Sequence, residues 1–157
     1  MSKPVVLFLC TGNSARSQMA EALLRAEAGD LFEVHSAGTE PKEVNPLTVK
    51  TMAEMGVDVS GQRSKHLKEL LGRLPVRILI VVCAEAEKTC PVIWPGAMHR
   101  LFWRFDDPAA AEGSEEEKLR VFRSVRDQIH SRIKQWLAEP GTASLGMKVK
   151  IESALKS

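Results

Sequence analysis

The chain has 157 residues, which makes one domain the default and allows a core large enough to stand without disulfide staples. Its 44% apolar and 27% charged residues fit a soluble globular protein, and a net charge of +2 argues against a dedicated nucleic-acid binder, which would concentrate basic charge in a patch. Three cysteines, an odd number, argue against a secreted disulfide scaffold, and no apolar run reaches the ~18–20 residues that span a bilayer. Met1-Ser2-Lys3-Pro4 leads straight into a strand-like run with no cleavable-signal pattern, so the expected location is the cytoplasm, with no membrane partner.

Val5 to Leu9 is short, apolar and rich in β-formers, the pattern of a buried parallel strand. Turn residues follow from Cys10 to Ser17, and then Gln18 to Ala28 reads as a helix, with Met19, Ala22, Leu23 and Ala26 on one face and Gly29 as its stop. Phe32 to Ala37 is expected as a second strand ended by Gly38. Pro46 suits the first turn of a helix running to about Met55, with Gly56 after it, and Leu67 to Leu71 is a short helical candidate closed by Gly72. Arg77 to Val82 is the third strand and Arg100 to Phe105 the fourth. Ser114 to Ala138 reads as a long helix: Ser114 and Glu117 make a capping-box pattern, Glu115–Glu117 sit at the positive end of its dipole, and Phe122, Val125, Ile129, Ile133 and Trp136 mark its buried stripe. Pro140-Gly141 is expected to close it.

Strands alternating with helices predict an α/β fold with a parallel sheet and right-handed crossovers. The expected organisation is one domain over residues 1–140 and a Lys- and Ser-rich tail over 141–157.

The segment between the first strand and the first helix carries the chemistry. Ligands of open α/β sheets bind at the carboxyl ends of the strands, and a helix beginning near Arg16 points free amides and its positive dipole end back at the loop. Gly12 permits φ > 0 and close backbone approach, and Asn13 tolerates the left-handed region. Thr11, Gly12, Asn13, Ser14, Ala15 and Arg16 can therefore cradle a tetrahedral oxyanion with their amides, and the Arg16 fork adds a bidentate contact. Thiols at helix N-termini beside cations drop from ~8.5 to roughly 3.5–7.5, so Cys10 is expected to be a thiolate nucleophile with Ser17 in reach to stabilise it. The bland alternative is a small apolar Cys ending a strand before an ordinary turn.

Cys10-Thr-Gly-Asn-Ser-Ala-Arg-Ser-Gln-Met-Ala-Glu21 resembles the signature of the low-molecular-weight tyrosine phosphatases, and more closely the arsenate reductases built on that fold. The resemblance spans roughly residues 4–139 and includes Ser36-Ala37-Gly38, Asn45-Pro46 and Phe105-Asp106-Asp107-Pro108. It implies a three-layer, flavodoxin-like fold around a four-stranded parallel sheet.

Two features weigh toward the reductase. Cys83 follows the third strand, on the same sheet edge as Cys10, and Cys90 lies seven residues on. If Ala84–Thr89 were helical, the pair would sit ~10.5 Å apart along the axis. A disulfide needs Cα atoms at ~4.4–6.8 Å, so the two could bond only if this segment bends or unwinds. Two buried core thiols remain the plain alternative. Second, the phosphatases follow their Asp-Pro with tyrosines that wall an aryl-phosphate pocket, whereas Asp107-Pro108 is followed by Ala109-Ala110-Ala111 and the chain has no Tyr.

The resemblance implies a relay. Arsenate (with phosphate or sulfate as competitors) occupies the loop, Cys10 attacks arsenic, Asp107 protonates the departing oxygen, Cys83 attacks Cys10, and Cys90 attacks Cys83. Thioredoxin is the implied reductant, with glutaredoxin- or mycothiol-type donors left open, and no bound cofactor is called for. A phosphatase using a Cys10 phosphocysteine, and a thiol sensor binding arsenite through Cys10, Cys83 and Cys90, are the competing readings. Ala15 replaces a second loop cysteine of many members. Lys65 stands where some reductases carry an acidic residue that holds potassium with residues matching Asn13, Glu21 and Ser36. Its ammonium is expected to fill that site, contacting Glu21 and the Asn13 region. His35, His66, His99 and His130 show no ligand spacing with the cysteines, so zinc is not expected, and the chain is expected to act as a monomer.

Overall fold

The computed structural model describes residues 3–83, 94 and 96–142. Seven main elements follow in chain order among these residues: β1 (Val5–Cys10), α1 (Arg16–Ala28), β2 (Glu33–Gly38), α2 (Pro46–Ala53), β3 (Val76–Val81), β4 (His99–Phe102) and α3 (Glu115–Ala138). Short 3-10 turns form at Leu67–Glu69 and Pro108–Ala110. The strands make one parallel sheet in the order β2-β1-β3-β4, which is the α/β architecture read from the alternation of strand and helix patterns.

The apolar run of β1 is explained by its place. It pairs on both edges, and all six of its residues are buried. A central parallel strand covered on both faces has no polar side to show. α1 and α3 pack side by side, and α3 brings Leu119, Phe122, Val125, Ile129, Ile133 and Trp136 into the core. The Trp136 ring meets Phe32 at 5.5 Å and Trp103 at 5.7 Å between centroids, and Trp103 in turn meets Phe8 on β1 at 6.0 Å. The Ser114 hydroxyl caps α3 by accepting the Glu117 N–H at 3.2 Å, as the capping pattern predicts.

Several boundaries differ from the sequence reading. α1 begins at Arg16, two residues early, because the loop feeds directly into it. α2 stops at Ala53, with Gly56 at φ 75° turning the chain away. Leu67–Glu69 is a single 3-10 turn, started by His66 Nδ1 accepting the Lys68 N–H. β4 is shorter than expected and ends at Phe102. Among the described residues it is an edge strand paired with β3 alone, which ends at Val81, and the Trp103 N–H makes the last bond to the Val81 carbonyl at 2.8 Å. α3 itself ends at Ala138 as expected, with Glu139 extended before Pro140, though residues 140–142 are helical again. The rest of the tail, from 143, and the segment holding Cys90 lie outside the described residues. No helix among the described residues is long and apolar enough to cross a membrane.

Candidate active site

The loop after β1 is shaped from outside. Four successive carbonyls are drawn outward by bonds to the rest of the protein. Thr11 O accepts the Glu40 N–H at 2.9 Å, and Gly12 O accepts the Lys42 N–H at 2.9 Å. Asn13 O accepts Gln18 Nε2 at 3.0 Å, and Ser14 O accepts the Asn45 N–H at 3.0 Å and the Thr48 hydroxyl at 2.9 Å. In a planar trans peptide the N–H points opposite to the carbonyl. Turning the carbonyls of 11–14 outward therefore turns the amides of Gly12, Asn13, Ser14 and Ala15 inward, over Cys10. Ala15, the N-cap of α1, offers no side-chain cap, so the helix's first-turn amides face the same space. Asn13 holds the φ of 47° that the turn demands.

Cys10 is a free, buried thiol at the centre. Its sulfur accepts the Asn13 N–H at 3.2 Å and lies 2.8 Å from the Ser17 hydroxyl. The direction of that second bond follows from its neighbours. The Lys65 N–H donates to Asn13 Oδ1 at 3.0 Å, which fixes the amide and turns Nδ2 toward Ser17 at 2.7 Å and Ser36 at 3.0 Å. Ser17 thus accepts from Asn13 and has its own hydrogen left to donate to the Cys10 sulfur.

Arg16 is buried beneath the loop. It donates to the Phe105 carbonyl at 3.2 Å, and its Nη2 lies 3.7 Å from Asp107 Oδ2. Asp107, half-exposed, also accepts the Ala109 N–H, so the short turn at Pro108–Ala110 holds its carboxylate facing the loop. Ala109 and Ala110 are exposed and build no wall there. Cys83 is buried two residues past β3, its sulfur 3.9 Å from Thr11 Oγ1 and 3.9 Å from the Leu9 carbonyl oxygen, at the edge where the loop begins. Cys83 is disulfide-bonded. The sequence reading expects Cys83 on the same sheet edge as Cys10; the structure sets Cys83 beside Thr11, where the loop begins, and Asp107 beside Arg16.

Lys65 requires a correction. Its ammonium donates to the Arg63 carbonyl at 3.1 Å and makes no direct contact with Glu21. Only its main-chain N–H reaches Asn13. Burial pushes the Lys65 ammonium below its ordinary value, while the Glu21 charge pulls it back up through space. The physical reason is competition. Glu21 is already held by Arg25 at 2.7 Å, four residues on along α1, and by the Ser36 hydroxyl at 2.6 Å. Sequence reasoning passed over Arg25, although a Glu and an Arg four apart on a helix is a readable signal. It also passed over the spatial role of Gly38: a Cβ there would lie 2.5 Å from Thr11 O and 3.0 Å from Asn13 N, so only glycine lets the loop lie against β2.

The profile of the low molecular weight phosphotyrosine protein phosphatase family matches residues 5–151. An arsenate reductase of Halalkalibacterium halodurans is 49% identical over 142 residues, covering 90% of this chain and 99% of its own. An arsenate reductase solved in its phosphate-binding state is 30% identical, with a TM-score of 0.66, over 86% of this chain and 97% of its own. A thioredoxin-dependent arsenate reductase of Corynebacterium glutamicum is 28% identical, with a TM-score of 0.65, over 93% of this chain and 63% of its own. Loop, sheet and relatives agree, and the chain belongs to the low molecular weight phosphotyrosine protein phosphatase family.

Proposed function

We propose that the chain reduces arsenate to arsenite by a relay through Cys10, Cys83 and Cys90, with thioredoxin as the external dithiol. The observation that carries this reading is the ring of inward amides over a free Cys10, with the buried Arg16 beneath and Asp107 facing it. Arsenate sits on the amides of 12–15 and on Arg16. The Cys10 thiolate attacks As(V), Asp107 supplies the proton with which one oxygen leaves as water, and a Cys10–S–As bond forms. The Cys83 thiolate then attacks the Cys10 sulfur. The S–As bond breaks with its electron pair going to arsenic, arsenite departs, and a Cys10–Cys83 disulfide remains. Cys90 attacks Cys83 and frees Cys10 as thiolate, and the external dithiol reduces the Cys83–Cys90 bond.

The exposed alanines after Pro108 suit a small oxyanion and give an aryl phosphate nothing to stack on. Thioredoxin rests on the Corynebacterium relative and on the relay's need for a dithiol.

Turnover of arsenate with thioredoxin, its reductase and NADPH is the test, with each Cys→Ser variant disulfide-mapped by mass. Cys10→Ser is expected to lose turnover by at least about a thousandfold, as removal of a nucleophile does. Cys83→Ser and Cys90→Ser are expected to stop after at most one turnover. Full multiple turnover by Cys83→Ser, or faster hydrolysis of an aryl phosphate than reduction of arsenate, overturns the reading.

A further inference from the structure

We infer that Arg25 is a positioning residue for the Cys10 loop, acting on Asn13 through two separate hydrogen-bonded arms. This rests on Cys10 being the nucleophile. Arg25 lies on the solvent side of α1, its side chain 47% exposed, and touches no atom of the loop.

The first arm is charged. Arg25 Nη2 donates to Glu21 Oε2 at 2.7 Å, the Ser36 hydroxyl donates to Glu21 Oε1 at 2.6 Å, and Asn13 Nδ2 donates to Ser36 Oγ at 3.0 Å. Glu21 is only 6% exposed in its side chain, so its carboxylate is held there by these partners. The second arm is neutral. Arg25 Nη1 donates to Gln62 Oε1 at 3.1 Å, Gln62 Nε2 donates to Gln18 Oε1 at 2.7 Å, and Gln18 Nε2 donates to the Asn13 carbonyl at 3.0 Å. One arm ends on the Asn13 side chain and the other on its main chain. Arg25 Nη2 also donates to the Val34 carbonyl at 2.7 Å, which ties the assembly to β2.

Asn13 needs holding. It is fully buried, it occupies the left-handed region, and its own N–H and its Nδ2 set the two groups that meet the Cys10 sulfur. The guanidinium is suited to the junction because its fork serves a carboxylate and an amide oxygen at once, which one ammonium cannot do at both angles. In the charged arm it also cancels the Glu21 negative charge, which would otherwise act on the thiolate.

The test reads Cys10 directly. In phosphate-free buffer, alkylation of the Cys10 peptide is followed by mass against pH, beside kcat and KM for arsenate. Arg25→Met is expected to raise the pH midpoint of alkylation and to lower kcat about tenfold, equivalent to ~1.4 kcal/mol, with a smaller change in KM. Adding Glu21→Gln to Arg25→Met is expected to bring the midpoint back toward the parent. Gln62→Ala, which cuts the neutral arm alone, is expected to lower kcat a few-fold with the midpoint unmoved. Arg25→Lys, which keeps the charge and loses the fork, is expected to behave like Gln62→Ala. An Arg25→Met protein with parental midpoint and kcat, whatever its melting temperature, overturns the inference. So does an Arg25→Lys protein whose midpoint rises as far as that of Arg25→Met. Should Arg25→Met fail to fold, Arg25→Lys and Gln62→Ala decide. Alkylation reports on Cys10 whether or not arsenate turns over, so a failure here is separable from a failure of the relay.

Discussion

Glu21 and Glu54 both meet arginines, and they do different work. Glu21 pairs with Arg25 at 2.7 Å with its side chain 6% exposed, inside a network that ends at the nucleophile. Glu54, just past α2, pairs with Arg123 at 2.8 Å and Arg126 at 3.0 Å on α3, one-third exposed. The same two residue types thus make an internal scaffold in one place and a surface clasp in the other. The difference lies in what surrounds the pair. Water screens the clasp and competes for it, whereas the buried carboxylate has only its protein partners. Ion pairs near a site should therefore be weighed by where their bonds lead next.

Substitutions can sharpen this contrast. The largest effect is expected at the loop's contact with β2. In Gly38→Ala the new methyl meets Thr11 O and the Asn13 backbone, neither of which can yield without moving the cradle. Arsenate kcat/KM should fall by about a hundredfold, well beyond any loss of stability, which overpacking puts at ~1–3 kcal/mol. Steady-state kinetics beside thermal unfolding would measure both, and parental kcat/KM would show that the loop does not depend on that contact. An intermediate effect, of the opposite kind, is expected in the buried stripe of α3. Ile133→Ala empties a fully buried position and should cost about 2–5 kcal/mol in denaturant unfolding, with kcat nearly unchanged in the folded enzyme.

The smallest effect is expected at the clasp. Hydrogen bonding to Arg123 holds the Glu54 carboxyl below its ordinary value of 4.5, with burial opposing and Arg126 assisting. A carboxyl lowered on folding contributes stability above its unfolded value and loses that contribution as pH falls through the lower, folded value. Melting temperature measured from pH 6 to pH 3 should therefore fall less steeply in Glu54→Gln than in the parent, with the gap between the two narrowing as pH falls. Equal slopes would show the clasp to be energetically silent. High salt should shrink the difference.

Much of this was legible in the chain itself. β1 announces its centrality through an unbroken apolar run, and α3 announces its buried stripe through helical spacing. Cys10 to Ser17 announces an anion loop because glycine, asparagine and arginine at those offsets each answer a separate geometric demand. What could not be read is what depends on distant partners. The outward pull on the carbonyls of Thr11, Gly12 and Ser14 comes from residues 40, 42, 45 and 48, which form no local pattern with the loop. The length of β4 depends on where β3 stops, and the place of Lys65 on whether another cation reaches Glu21 first. Arg25 won that contest from the same helix.

Gly38 is the last residue of β2. It pairs with Cys10 across the sheet, donates its N–H to the Lys65 carbonyl and lies under Thr11 and Asn13. The final rung of the ladder is therefore also the floor of the cradle. Once β1 and β2 have zipped into register, the anion seat is already laid down, and folding and readiness for substrate arrive in a single event.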